Sequence, residues 1–168
     1  MVKTEMNRKN TLILANAGMI AALYVVLTYI ANMFGLASGA IQVRLSEALT
    51  ILPVFTYAAV PGLAVGCVLA NLLTGCALWD VVFGSLATLI GAVGTRMMKK
   101  TPQLAWIPPV LSNAAIVPIV LMKVYGVPDA WWFLVLTVGA GELISCGLLG
   151  LLVWRVGQRI PALRDNGN

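Results

Sequence analysis

The chain has 168 residues, 60% of them hydrophobic and only 10% charged, with a mean hydropathy of +0.93. Soluble domains carry about 25% charged residues, so this is the composition of an integral membrane protein, with no length left for a soluble catalytic domain beside the spans. The net charge of +5 does not indicate nucleic acid, because the basic residues gather at the ends of apolar runs, and the absence of histidine removes the commonest metal ligand and general base.

The chain opens on the polar segment MVKTEMNRKN. No small-residue cleavage site follows a short apolar core, so a removable signal peptide is not expected. A membrane span needs about 20 apolar residues. The first candidate runs from about Leu12 to Phe34, and the loop GLASGAIQVRLSE follows it. An unbroken apolar tract then extends from Ala48 to about Ala77, too long for one ordinary span and short for two. Later spans are clearer, at about Val81 to Met98, Trp106 to Tyr125 and Trp131 to Trp154.

Charge resolves the long tract. Lys3, Arg8 and Lys9 precede the first span; Arg96, Lys99 and Lys100 form a basic loop; Arg155, Arg159 and Arg164 lie at the end. The positive-inside rule places all three clusters in the cytoplasm, which requires an even number of spans between the first two. Splitting the tract at Val60-Pro61-Gly62 gives that even number, and Pro is favoured in the first turn of a new helix. The expectation is one all-α domain, residues 1–168, of six transmembrane helices with both termini cytoplasmic and short, loose polar tails. Helices two and three are short and call for tilt or local bilayer thinning.

The charges outside these clusters and the two tails are Arg44, Glu47, Asp80, Lys123, Asp129 and Glu142. In this topology they lie toward the outer side or within the membrane, while the inner ends carry orientation charges only. An ionised group near the bilayer centre costs about 2.5–3.5 kcal/mol on insertion scales, so it needs a partner or a wet cavity. Glu142, about 11 residues into the last helix, is the most informative of them. Asn113 sits at matching depth on the antiparallel fifth helix, and Asn71 lies in the outer half of the third. Each can bind a solute or bond between helices. Arg44 and Glu47, three apart, are spaced to pair. Lys123 reads as snorkelling, and Trp131 and Trp132 as an interfacial belt. Asn16 and Asn32 on the first helix have no assigned role.

At the turn Gly75 to Asp80, Gly75 suits a helix end and Asp80 a helix cap. Cys67, Cys76 and Cys146, an odd count in apolar text, read as buried structural thiols. Small-residue pairs at four-residue spacing occur as Ala17/Ala21, Gly18/Ala22, Gly62/Gly66 and Ala87/Gly91, where helices approach closely. No phosphate loop, Ser-His or Cys-His pair, or HExxH is present. A catalytic residue, metal site or cofactor is therefore not expected, and any solute accumulation must draw on an ion gradient or a partner.

The tract QVRLSEALTILPVF (Gln42 to Phe55), the Pro61-Gly62 turn and LANLLTGCALWDVVFGSLATLIGA (Leu69 to Ala92) resemble the QueT family, in continuous register over about half the chain. The last two helices are similar in pattern only. The family comprises queuosine-precursor transporters, the substrate-binding S components of energy-coupling factor (ECF) transporters. The resemblance implies a six-helix bacterial plasma-membrane protein that binds its solute from outside. It then docks on a transmembrane coupling protein (EcfT) and two cytoplasmic ATPases. The family's helix-one docking pattern is matched by Ala17 and Ala21.

The implied solute is a 7-deazaguanine: preQ1, its nitrile precursor preQ0, or queuine. A carboxylate can accept its N1–H and 2-amino group together, an amide can read its carbonyl, and an aromatic ring can stack on it. Glu142 is expected on the guanine edge, Trp79 stacked, and Asp80 or Glu47 at the 7-substituent, with Asn113, Asn71 and Arg44 nearby. Competing readings are a stand-alone ion-coupled carrier with Glu142 as proton site, an S component for another vitamin-like solute, a membrane-embedded enzyme, and a structural membrane subunit.

Overall fold

A computed structural model of the chain describes residues 2–36 and 42–160, with side chains from residue 10 onward. The basic residues Lys3, Arg8 and Lys9, with Glu5, lie outside the described side chains, and Arg164, Asp165 and the rest of the C-terminal tail lie outside the described residues. Helix α1 spans Val2–Met33 and so continues into the N-terminal tail that composition left loose. A 3-10 helix, Leu45–Val54, follows. Then come α2 (Ala59–Leu73), α3 (Leu78–Met97) and α4 (Ile107–Lys123). The last rod is continuous: α5 (Trp131–Glu142), a π-helical stretch (Leu143–Leu149) and α6 (Gly150–Gly157). Among the described residues, four helical stretches are long and apolar enough to cross a membrane, Asn10–Met33, Leu78–Met97, Pro102–Lys123 and Trp131–Gly157, and two are shorter, Leu45–Val54 and Ala59–Leu73.

The apolar tract does divide, and the break falls at residues 55–58, just ahead of the predicted point. Pro61 then sits in the first turn of α2, where its missing N–H leaves no helix bond unmade. The segment before the break winds as a 3-10 helix. Ten residues at about 2.0 Å each reach about 20 Å, against about 15 Å for an α-helix of that length. Side chains occupy the carbonyl of Glu47: Thr50 Oγ1 donates to it at 2.6 Å and Cys146 Sγ at 3.5 Å. Pro53 lies inside the segment, and Arg96 Nη1 donates to the Pro53 carbonyl at 3.0 Å. Arg96 is therefore more than an orientation charge, because it caps the C-terminal end of this helix.

Every residue from Ser46 to Pro53 is buried, so the 3-10 helix is the centre of the bundle. It contacts α1, α2, α3, α6 and the π-helical stretch. The apolar core joins Tyr24, Leu49, Leu52, Leu63, Cys67 and Ala92 around it.

Small residues set the helix spacings. A Cβ on Gly62 would stand 2.7 Å from the Ala17 carbonyl oxygen, and one on Gly66 3.0 Å from Ala21 Cα. The Gly62/Gly66 face of α2 thus seats the Ala17/Ala21 face of α1. A Cβ on Gly91 would meet Pro109 Cα at 2.7 Å, and Ser112 Oγ donates to the Ala87 carbonyl at 2.9 Å, which joins α3 to α4. Gly18 differs, since nothing lies within 4 Å of its Cβ position.

Candidate functional site

A cavity of about 400 Å³ lies at one end of the bundle, between the C-terminal half of α1, residues 42–46, and the adjoining ends of α2, α3 and α4. Tyr24, Thr28 and Asn32 line it from one four-spaced stripe of α1. Arg44, Asn71 and Asp80 line it too. At the α2 end the predicted Gly75 turn forms with φ +75°. The Cys76 N–H bonds the Asn71 carbonyl at 3.0 Å and the Gly75 N–H bonds Leu72 at 3.2 Å, the paired bonds of a Schellman motif.

Asp80 does not cap α3. Ala77 occupies the cap position, and Asp80 stands in the first turn, where the helix dipole favours its charge. Its Oδ2 accepts the Tyr125 hydroxyl at 2.9 Å. Asn71 Nδ2 and Asp80 Oδ1 both lie within 3.5 Å of the Cβ position of Gly84, so a glycine there gives the two polar groups room. Partial burial and Asp80 push the Tyr125 hydroxyl up to about 12, which keeps it a donor at physiological pH.

One layer deeper lies a second polar group. Eight residues of α3 separate Asp80 from Thr88, and eight of α4 separate Leu121 from Asn113, about 12 Å of rise in each case. Here Glu47 is 0% exposed, Asn113 2% and Glu142 5%. Glu47 Oε1 accepts the Tyr24 hydroxyl and, at 3.4 Å, the Thr88 hydroxyl. Glu142 Oε2 accepts Cys146 Sγ at 3.1 Å. The carboxylates of Glu47 and Glu142 and the Cys146 thiol lie within 4.8 Å of one another, and the Asn113 amide is beside both carboxylates. Yet Glu47 Oε2 and Asn113 Nδ2 have no hydrogen-bond partner within 3.5 Å, although the Asn113 amide is near enough to both carboxylates to interact with them at longer range. Buried polar atoms without partners cost about 1–3 kcal/mol each, so such a pair marks a place built for something else. The three acidic and thiol groups are close enough to share an ion, but the thiol donates to Glu142 and the amide presents a donor. That set suits a hydrogen-bonding solute better than a cation.

The segment 42–44 roofs this layer. An added Cβ on Gly141 would stand 2.0 Å from the Gln42 carbonyl oxygen, and the Arg44 N–H donates to Ser145 Oγ at 3.1 Å. Arg44 does not pair with Glu47 as its spacing predicted: Glu47 Oε1 is held by Tyr24 and Thr88, and Oε2 has no partner. Burial works against the guanidinium charge, and surrounding groups including Asp80 and Glu142 outweigh it and hold it protonated.

Of the predicted residues, then, Arg44, Asn71 and Asp80 share the cavity, and Glu47, Asn113 and Glu142 share the deeper layer. Trp79 joins neither. It is 60% exposed, stacks on Phe83 with ring centroids 5.9 Å apart, and lines an outer groove that includes Lys123. Cys76 is half-buried at the cavity wall, unlike buried Cys67 and Cys146. Ala21 is buried in the α1–α2 contact, so the expected docking pair is partly internal. Tyr24, Thr28 and Tyr125 were not foreseen. The four-residue spacing of Tyr24, Thr28 and Asn32 in the apolar stretch of α1 was the available signal for the first two.

The model of the QueT transporter family matches residues 14–158. The chain belongs to the QueT transporter family. The four long apolar helices among the described residues are those of a multi-pass membrane protein. The chain is 33% identical over 86 residues to the Queuosine precursor transporter QueT of Lactococcus lactis subsp. cremoris (strain MG1363). That alignment covers 51% of this chain and 50% of the relative, so the match spans about half the length of each. No solved structure gives a significant match.

Proposed function

We propose that this chain is the substrate-binding S component of an ATP-driven ECF importer and that it binds a 7-deazaguanine queuosine precursor from outside the cell. One observation carries the reading: Asn113 Nδ2 and Glu47 Oε2, buried without partners beside Glu142. A guanine-type edge offers one carbonyl acceptor, an N1–H and a 2-amino group. An amide donor beside two carboxylates is its complement. Above that layer the cavity adds Asp80 for a cationic 7-substituent and Arg44 to balance the acids. The stacking face falls to Tyr125, which lines the cavity, instead of Trp79.

In this reading the chain forms one domain of six spans in the bacterial plasma membrane, with both termini cytoplasmic and the cavity facing out. Energy comes from a transmembrane coupling protein (EcfT) and two cytoplasmic ATPases, reached through the small-residue surface of α1. The test is a titration of purified protein, without ATP, against preQ1, preQ0, queuine and guanine, with riboflavin and thiamine as controls. Saturable binding of a 7-deazaguanine alone is expected. Binding of a control vitamin instead would reassign the solute. A second reading, an ion-coupled carrier, draws on the adjacent Glu47 and Glu142 carboxylates as a proton site. Uptake in cells lacking the shared ATPase module would decide for it.

A further inference from the structure

We infer that Tyr24 is a positioning residue for solute selectivity: it pins one oxygen of Glu47 so that the other reads the 2-amino group of a guanine-type base. The inference rests on the solute class proposed above. Tyr24 is 2% exposed and reaches from α1 into the bundle, where its hydroxyl donates to Glu47 Oε1. Thr88 donates to the same oxygen from α3 at 3.4 Å. Two donors on Oε1 fix the plane of the carboxylate and leave Oε2 buried and without a partner, in a side chain that lies beside Asn113 and Glu142.

The helix that carries Tyr24 is itself held in register. Thr28 Oγ1, one turn further on, donates to Ser46 Oγ at 3.0 Å, beside Glu47 in the chain. Gly66 lets α1 approach closely, since a Cβ there would stand 2.8 Å from Tyr24 Cβ. The phenol is thus set by backbone packing as well as by its own hydrogen bond. A carboxylate whose orientation is fixed before the solute arrives loses no rotamer freedom on binding, and its free oxygen has one preferred partner. A site built to hydrogen-bond a substrate N–H discriminates strongly against the analogue that lacks it, because its own polar atom is then left unpaired. Without Tyr24 the Glu47 carboxylate can rotate, and that discrimination collapses.

The experiment compares preQ1 with 7-deazahypoxanthine, which lacks the 2-amino group, and 7-deazaguanine, which restores only that group. Wild-type protein should favour 7-deazaguanine over 7-deazahypoxanthine by about tenfold or more. Tyr24→Phe should lose most of that preference, to within about threefold, while its affinity for 7-deazahypoxanthine stays within about threefold of wild type. Equal losses for both bases would mean a merely structural role and overturn the inference, as would an unchanged preference. If Tyr24→Phe does not fold, Thr88→Val, which removes the other donor to Oε1, must narrow the preference, and an unchanged ratio there overturns it. Wild-type protein that binds none of the three bases defeats the solute reading itself and this inference with it.

Discussion

Tyr125 donates its hydroxyl to Asp80 Oδ2 at 2.9 Å while accepting the Ala77 N–H at 3.1 Å. One phenol at the end of α4 therefore holds both the cap residue and the first-turn acid of α3. This leaves Asp80 Oδ1 toward Asn71 and the cavity. Asp80→Asn keeps an oxygen for Tyr125 and removes the charge. Affinity for the cationic preQ1 should fall about tenfold, about 1.4 kcal/mol, with affinity for the neutral nitrile within about threefold of wild type. Parallel titrations of the two bases check this, and equal losses would assign Asp80 to structure alone.

Glu142 presents a buried carboxylate in a layer that lacks enough internal partners. Glu142→Gln preserves shape and replaces one carboxyl oxygen by an amide NH2, which donates and cannot accept. A buried donor of the base left unpaired costs about 1–3 kcal/mol, so 7-deazaguanine binding should weaken by about 5- to 100-fold in a folded protein. Calorimetry with a melting curve on the same sample separates lost affinity from lost fold.

Gly141 allows the segment 42–44 to lie directly on α5. Gly141→Ala places a methyl 2.0 Å from the Gln42 carbonyl oxygen, where backbone must move. Overpacking of this kind costs about 1–3 kcal/mol. A lowered melting temperature is expected, with weaker solute binding because the roof over Glu142 shifts. An unchanged melting temperature would show that the segment is free to lift.

The helix-one docking proposal now needs different probes. Ala21→Leu would wedge α1 from Gly66 and test folding before docking. Gly18 is exposed and open around its Cβ position, on a helix that is largely uncovered. Gly18→Leu should leave melting temperature and solute affinity unchanged and reduce co-purification with the coupling protein at least severalfold. Full assembly would move the docking surface off this part of α1.

Much of this molecule was legible without coordinates. Composition alone identifies a membrane protein, and Pro61-Gly62 and Gly75 each lie at a real boundary, because backbone restrictions of Pro and Gly act locally. The intramembrane Glu142, Asn113 and Asn71 stood out because an apolar solvent makes any polar residue conspicuous. Glu47 and Asp80 were recognised as candidates, but Asp80 was given a capping role and Glu47 an ion pair with Arg44. Neither forms: a phenol from α1 holds Glu47 Oε1 and one just past the end of α4 holds Asp80 Oδ2. The 3-10 winding and the π-helical stretch next to Glu142 left no readable trace, because the Cys146 and Arg96 side chains that bond the 3-10 carbonyls come from far along the chain.

What the sequence by itself determined is solvent, segment limits and the short roster of polar residues that the bilayer makes expensive. What only the tertiary structure decided is facing: that Ala21 turns inward, that Trp79 turns outward, and that Glu47 Oε2 and Asn113 Nδ2 are left without partners. In water an apolar stripe tells which way a helix faces. In lipid the surroundings are as apolar as the core, so a helix that is apolar all round carries no such mark, and only contact with its neighbours sets its rotation.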